Sequence, residues 1–143
     1  MTPLVLIPDA EKTVHAFLSA HPDVAALNTR IVGKTPDSTD ASWVHLTMID
    51  ARNATASEVE HLMEYLIQVD AYAGRTGIEG SPQREASLIA RTVRAALHDE
   101  LRGQHTEGTV TSVRMSGMRR QPDTQIEPAR ERVLFTATIH MHR

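Results

Sequence analysis

The C-terminal run from Arg132 to Met141 constrains the fold more than any other part of the chain, because apolar and polar residues alternate along it. The apolar set is Val133, Phe135, Ala137, Ile139 and Met141, and between its members stand Leu134, Thr136, Thr138 and His140. Successive side chains of a β-strand point to opposite faces, so this period of two predicts a strand with one face in a core. Such a strand requires partners in a sheet.

Further segments supply those partners. The segment 61–74 has one clearly apolar face, formed by Met63, Tyr65, Ile67, Val69 and Ala71. The segment 42–50 alternates as well, with Val44, Leu46 and Met48 on one side and Trp43, His45, Thr47 and Ile49 on the other. We expect these two segments to pair as a hairpin across the polar connection 51–58. The segment 109–118 predicts a further strand, and 30–33 a short fifth one.

Two segments carry the signals of amphipathic helices. The first begins at Pro8 and Asp9, where the Asp9 carboxylate is a suitable cap, and ends near His21. The second has Ser81 as its cap, a proline at its first position and Gly103 just past its end. Its apolar stripe consists of Ala86, Ile89, Ala90, Val93, Leu97 and Leu101. That stripe is predicted to pack on the sheet.

This order of elements predicts one α+β domain over residues 1–143. We expect a mixed, largely antiparallel sheet of four to five strands, with two helices packed on one face. The segment 119–130 carries two prolines and several charges, which predicts a projecting loop. A chain of 143 residues fits a single core.

The composition excludes several classes of function. The chain has no cysteine, which removes disulfides, thiolate catalysis and cysteine-ligated zinc. Aromatic residues make up 3% of the chain and the net charge is −3, so we expect neither a stacking platform for single-stranded nucleic acid nor a general nucleic-acid-binding field. The apolar stretch Leu4–Ile7 is too short for a signal peptide or a membrane span, which predicts a soluble, unsecreted protein.

No motif predicts a catalytic or cofactor site. The glycines of GRTGIEGSP (74–82) precede a helix, but their spacing matches no phosphate-binding loop, which favours a plain connection. His140 and His142 have the spacing of two metal ligands on one strand face. No third ligand accompanies them, so an exposed strand end is the favoured interpretation. We expect a protein that is not an enzyme and that holds no cofactor and no metal.

The second helix also has a charged flank and a small apolar patch outside its core stripe. The flank consists of Arg84, Arg91, Arg94 and His98, and the patch of Leu88, Thr92 and Ala95. A solvated helix face is the ordinary interpretation. A contact surface for an acidic partner or a neighbouring subunit is the alternative.

Taken together, five segments resemble the tail terminator (tail completion) proteins of long-tailed, non-contractile bacteriophages. They are PDAEKTVHAFLSAHPDVAAL (8–27), SWVHLTMID (42–50), LIQVDAYAG (66–74), ARTVRAALHDEL (90–101) and RRQPDTQIEPARERVLFTATIHMHR (119–143). They cover most of the chain in the family's order. The fold expected from the resemblance is likewise a mixed sheet flanked by helices.

The resemblance implies a structural virion protein that caps the completed tail tube, stops its polymerisation and forms the joint to the head connector. It implies a hexameric ring at the tail–neck junction, assembled in the host cytoplasm, that contacts the tail tube protein and the head connector or completion protein. DNA passes through such a ring without sequence-specific binding, and no membrane is involved. Two alternatives remain: another neck protein, such as a head completion protein or connector adaptor, and a small metal-dependent or ligand-binding ferredoxin-like protein.

A cyclic ring needs two unlike surfaces on each subunit, because its contacts run head to tail. We expect these surfaces on the hairpin 43–72 and on the loop 119–130, which are too polar to belong wholly to the core. The expected contact residues are Glu60, Glu64 and Asp70 on the hairpin, Arg119, Arg120, Asp123 and Glu127 on the loop, and Arg84, Leu88 and Arg91 on the second helix.

Overall fold

The computed structural model describes residues 4, 6–34, 41–54, 62–74, 81–125 and 130–143. Within these ranges the chain forms three helices and seven strands. The helices are α1 (Ala10–Ala20), α2 (Pro22–Ala25) and α3 (Pro82–Glu100). The strands are β1 (Arg30–Val32), β2 (Trp43–Asn53), β3 (Met63–Tyr72), β4 (Gly103–Gln104), β5 (Thr109–Met115), β6 (Arg119–Arg120) and β7 (Arg132–His142).

All seven strands belong to one mixed sheet in the order β1-β2-β3-β7-β5-β4, and β6 pairs with β7 beyond the end of β5. β1 runs parallel to β2, whereas the other pairs are antiparallel. The strand with the alternating sequence, β7, is central: β3 lies along one of its edges, and β5 and β6 lie along the other. The expected hairpin of β2 and β3 is confirmed, with Val44 opposite Ala71 and Leu46 opposite Val69.

The core lies between one face of the sheet and the helices. The predicted stripe of α3 is confirmed, since all six of its side chains are fully buried. α1 contributes Val14 and Leu18, and α2 contributes Val24. On the sheet side, the apolar sets of β3 and β7 predicted from their alternation are buried in the same cluster. Periodicity therefore located the core correctly on both layers.

Local signals explain where the helices begin and end. The Asp9 carboxylate accepts a hydrogen bond from the Lys12 amide at 2.9 Å, as expected of an N-cap. α3 starts at Pro82 after an extended Ser81, whose side chain makes no capping hydrogen bond. Gly103 follows the helix with a φ of +129°, a conformation that favours glycine.

A buried hydrogen-bond chain ties the start of α3 to the ends of β2 and β3. The Gly74 amide donates to the Ser42 hydroxyl oxygen at 3.0 Å, and that hydroxyl donates to the Glu85 carboxylate at 2.7 Å. Glu85 is 2% exposed, although it stands in the first turn of an otherwise amphipathic helix. These hydrogen bonds fix α3 against the sheet with polar contacts in addition to the apolar ones.

The expected count of four to five strands and two helices was too low, because the additional elements are short. β4 and β6 have two residues each and α2 has four, too few to show a period. The segment 119–130 is not a loop throughout. β6 pairs with Val133 and Leu134 of β7, and a bridge between Asp123 and Arg130 extends this hairpin. β2 also continues to Asn53, because β3 is long enough to pair with it.

Candidate assembly surfaces

The sheet face turned away from the helices, here called the open face, carries a polar row across three strands. Glu64 of β3 stands between Arg52 of β2 and His140 of β7. The Arg52 Nε lies 2.7 Å from one carboxylate oxygen and the His140 Nε2 lies 3.1 Å from the other. The hydrogen bond from Arg52, with a second one from His140, holds the pKa of Glu64 below its ordinary value.

These contacts bear on His140 and His142, whose spacing in the sequence is compatible with two metal ligands. His140 is engaged by Glu64, whereas His142 Nδ1 lies 2.9 Å from the Arg143 carbonyl oxygen. In the part of the chain that the structure describes, no three histidine or acidic side chains come together in a group able to hold a metal ion. The two histidines therefore have different partners.

At one end of the open face lies a second group, here called the Trp43 cluster, in which Trp43, Asp70 and Tyr72 are buried and Asp123 and Arg132 are partly buried. The Trp43 and Tyr72 rings stack with centroids 4.5 Å apart, and the Arg132 guanidinium lies 5.9 Å from the Tyr72 centroid. The Tyr72 hydroxyl donates to the Asp123 carboxylate at 3.1 Å. Burial raises the pKa of Tyr72 to about 12.

Asp70 belongs to this cluster and is only 2% exposed. Both of its carboxylate oxygens accept from the Gln68 amide at 3.1 Å, and Arg132 Nη1 lies 3.9 Å away. Burial is the largest influence and raises the pKa of Asp70 above its ordinary value. A direct contact of Asp70 with a partner would require the side chains around it to move.

Replacing Asp70 by asparagine is expected to raise the free energy of unfolding at neutral pH. Burial raises the folded-state pKa of Asp70. The protonated carboxyl therefore contributes its full share to the free energy of unfolding below the unfolded-state pKa, and this contribution is lost as the pH rises through the folded-state pKa. Asparagine stays uncharged, so the gain over the wild type should vanish below about pH 4. Urea denaturation at neutral and acidic pH measures both differences, and an equal effect at the two pH values would contradict the assignment.

The two arginines expected to make contacts from 119–130 differ in their surroundings. Arg120 makes a bidentate pair with Glu131, with both N···O distances 3.0 Å, and this pair holds the pKa of Glu131 below its ordinary value. Arg119 is exposed, and among the described residues it makes no ion pair. Arg119 is therefore the member of the pair that remains free for a partner.

The predicted patch of α3 and two residues of its flank, Arg84 and Arg91, line two neighbouring surface depressions that share Leu88 and Arg91. One, of about 500 Å³, is lined by Gln83, Arg84, Ser87, Leu88 and Arg91. The other, of about 430 Å³, lies towards α2 and is lined by His21, Asp23, Leu88, Arg91, Thr92, Ala95, Ala96, Asp99 and Glu100. This surface has a partly apolar floor with basic residues at one end and acidic residues at the other. The other two flank residues lie elsewhere: Arg94 Nε donates to the Ser116 carbonyl oxygen at 3.3 Å, and His98 Nδ1 lies 2.8 Å from the Asp99 carboxylate. Of the other predicted contact residues, Glu60 and Glu127 lie outside the described residues.

Two strand edges form surfaces that the sequence did not indicate. β1 pairs only with residues 43–45 of β2, so Leu46–Asn53, here called the β2 edge, has no outer partner among the described residues. β4 pairs only with Thr109 and Val110 of β5, so Thr111–Arg120, here called the β5–β6 edge, likewise has none in the described ranges. Edge strands expose unpaired backbone groups that another strand can bind. Both edges are left uncovered because β1 and β4 are short. Strands of two or three residues show no alternation, so the sequence carries no signal from which these edges could be predicted.

The exposed large apolar side chains lie at few places among the described residues. Three are close to the N-terminus, Leu4, Leu6 and Ile7, and are 90%, 68% and 49% exposed. The other two are Ile49 on the β2 edge and Met118 on the β5–β6 edge, 49% and 39% exposed. Each open edge thus carries one apolar side chain that association would cover.

A family model describing the tail completion protein gp17 matches residues 12–140, which is nearly the whole folded part of the chain. The chain belongs to this tail completion family. It is therefore a structural protein of a phage tail, and its role involves contact with other tail components. The resemblance drawn from the five sequence segments is confirmed. No curated protein matches the chain. None of the helices among the described residues is long and apolar enough to cross a membrane.

Proposed function

We propose that this protein caps the completed tail tube of its phage, stops further polymerisation and forms the joint to the head connector at the tail–neck junction. The working form is a hexameric ring through which DNA passes without sequence-specific contacts. The observation that carries this proposal is the family match over residues 12–140, which covers the helices and strands from α1 to β7.

The arrangement of surfaces supports a protein with several neighbours. A subunit in a cyclic ring contacts two other copies through two unlike surfaces, and a cap contacts the tube on one side and the head on the other. The described residues offer the β2 edge, the β5–β6 edge and the depressions along α3 on different sides of one small domain. We assign Arg84, Leu88 and Arg91 of α3 to a contact with a tube or head component.

The test is a phage that lacks this gene, supplied with the protein from a plasmid. Without the protein, tails are expected to exceed the normal length and to remain unjoined to heads, because nothing ends polymerisation of the tube. Supplying the wild-type chain should restore normal tails and infectious particles. Tails of normal length joined to heads in its absence would refute the proposal. Electron microscopy of lysates measures tail length and head attachment.

Replacing Arg119 by glutamate is expected to lower the yield of infectious particles at least about tenfold, because a reversed charge at a contact is repelled by its partner. The free energy of unfolding should change by less than about 0.5 kcal/mol, since Arg119 is exposed and unpaired within the described residues. Plaque counts in the complementation system and urea denaturation give the two values.

Arg119→Lys is the matched control, because it keeps the charge and should keep the yield. Arg120→Glu is not equivalent, since it breaks the bidentate pair with Glu131. A normal yield with Arg119→Glu would exclude Arg119 from the contacts of the assembled tail.

A further inference from the structure

The two open edges of the sheet run in opposite directions. From β2 through β3 and β7 to β5, each step is antiparallel, and three reversals leave β2 and β5 antiparallel to each other. If one copy is placed beside another by rotation about an axis along the strands, the β2 edge of the first faces the β5–β6 edge of the second. Two antiparallel edges can then form a ladder of backbone hydrogen bonds.

One row of side chains across the open face ends in opposite charges. Direct pairing places Asp50 of β2 beside Leu66, Leu66 beside Thr138 of β7, and Thr138 beside Arg114 of β5. Directly paired residues have their side chains on the same face, so Asp50 and Arg114 are the two ends of one row.

Both charged ends are accessible. The Asp50 side chain is 52% exposed, and its ion-pair partner among the described residues, at 3.8 Å, is Arg52. Arg52 is itself held by Glu64 at 2.7 Å. Arg114 is exposed and makes no ion pair within the described ranges. Each edge can therefore offer its charge to another chain.

These charges select which edges meet. Like charges in neighbouring strands repel. Two β2 edges side by side would bring Asp50 close to a second Asp50. Two β5–β6 edges would likewise bring two Arg114 side chains together. A β2 edge beside a β5–β6 edge places an acid next to a base and can cover Ile49 and Met118 as well. Charge thus favours a head-to-tail contact over a symmetric pair, as a ring requires.

We propose that neighbouring copies of this chain join through their sheets, the β2 edge of one copy pairing with the β5–β6 edge of the next, with Asp50 beside Arg114 of its neighbour. This inference rests on the proposed function, because it supplies the contact between subunits that a ring-shaped cap needs. Bulges interrupt both edge strands, between Met48 and Asp50 in β2 and between Val110 and Ser112 in β5. Such bulges disfavour indiscriminate pairing with other strands.

The test is a charge exchange in the full chain, with the variants Asp50→Arg, Arg114→Asp and the double variant carrying both. In the complementation system, each single change is expected to lower the yield of infectious particles at least about tenfold, because every seam of the ring then holds two like charges. The double variant restores an opposite pair at every seam and should recover most of the yield. Lys12→Glu on α1, whose side chain is 69% exposed and lies outside the edges and the α3 depressions, is the control for a reversed charge on the helix layer, and it should leave the yield unchanged.

All variants are first compared by thermal unfolding. If a single charge-reversal variant does not fold, Asp50→Asn and Arg114→Gln replace it in the complementation assay, and each is expected to lower the yield of infectious particles by a smaller factor. Normal yields from the single variants, or a double variant no better than either single one, would overturn the edge-to-edge contact. Those outcomes would not contradict the capping role, because that role is tested separately by the length and head attachment of the tails formed when the gene is absent.

Discussion

Replacing Trp43 by alanine is expected to lower the free energy of unfolding by about 3–5 kcal/mol, the range for removing a large buried aromatic side chain. Trp43 is 1% exposed and stacks on Tyr72 with the ring centroids 4.5 Å apart. Its loss would open a cavity on the open face and expose the buried Asp70 and Tyr72 beside it. Urea denaturation followed by circular dichroism measures the change.

Trp43→Phe is the matched control for this prediction. The indole Nε1 is buried and has no hydrogen-bond partner among the described residues, so phenylalanine removes no hydrogen bond and keeps a ring against Tyr72. Most of the stability should therefore remain. If the alanine variant lost no more than about 1 kcal/mol, the site would not be the tightly packed one described above.

Replacing Leu97 by alanine is expected to cost about 2–5 kcal/mol, because the side chain is fully buried where α3 packs on the sheet. Leu88→Ala on the same helix is the control. Leu88 is only half-buried and lines the surface depressions, so its truncation should cost less than about 1 kcal/mol. Urea denaturation of the two variants gives the comparison.

The same pair of variants separates folding from assembly. Leu88→Ala should lower the yield of infectious particles more than its small loss of stability explains, if α3 contacts a tube or head component. Equal losses of stability from the two variants would contradict the division of α3 into a core stripe and a surface patch.

Much of the fold was predictable because its main elements are long. The alternation in β3 and β7 and the stripe of α3 repeat over ten or more residues, so each pattern identifies both the element and its buried face. β4, β6 and α2 have no such repeat. The segment 119–130 was misjudged for a related reason: its prolines and charges disfavour a strand locally, yet pairing of β6 with β7 outweighs that preference.

The contact surfaces were less predictable than the core, because a charged residue looks the same in sequence whether or not it has a partner in the folded chain. Arg119 and Arg120 are adjacent and identical in type, yet only Arg120 meets Glu131. Asp70 was expected at a contact surface because it lies on the face of the segment 61–74 opposite the apolar set. It is buried because Tyr72 and Arg132 lie beside it in the sheet.

The sequence by itself determined the α+β class and the buried faces of the long strands and of α3, because these depend on patterns that repeat along the chain. It also determined the membership of a tail completion family, because that depends on the order of five segments along the chain. The tertiary structure alone decided which charges are already paired, that Trp43 is buried on the face away from the helices, and that the β2 edge and the β5–β6 edge have no outer partner strand among the described residues. These features depend on which strands become neighbours and how far each pairing extends. Residues far apart in the chain determine both the strand neighbours and the extent of each pairing. No local sequence pattern therefore predicts them.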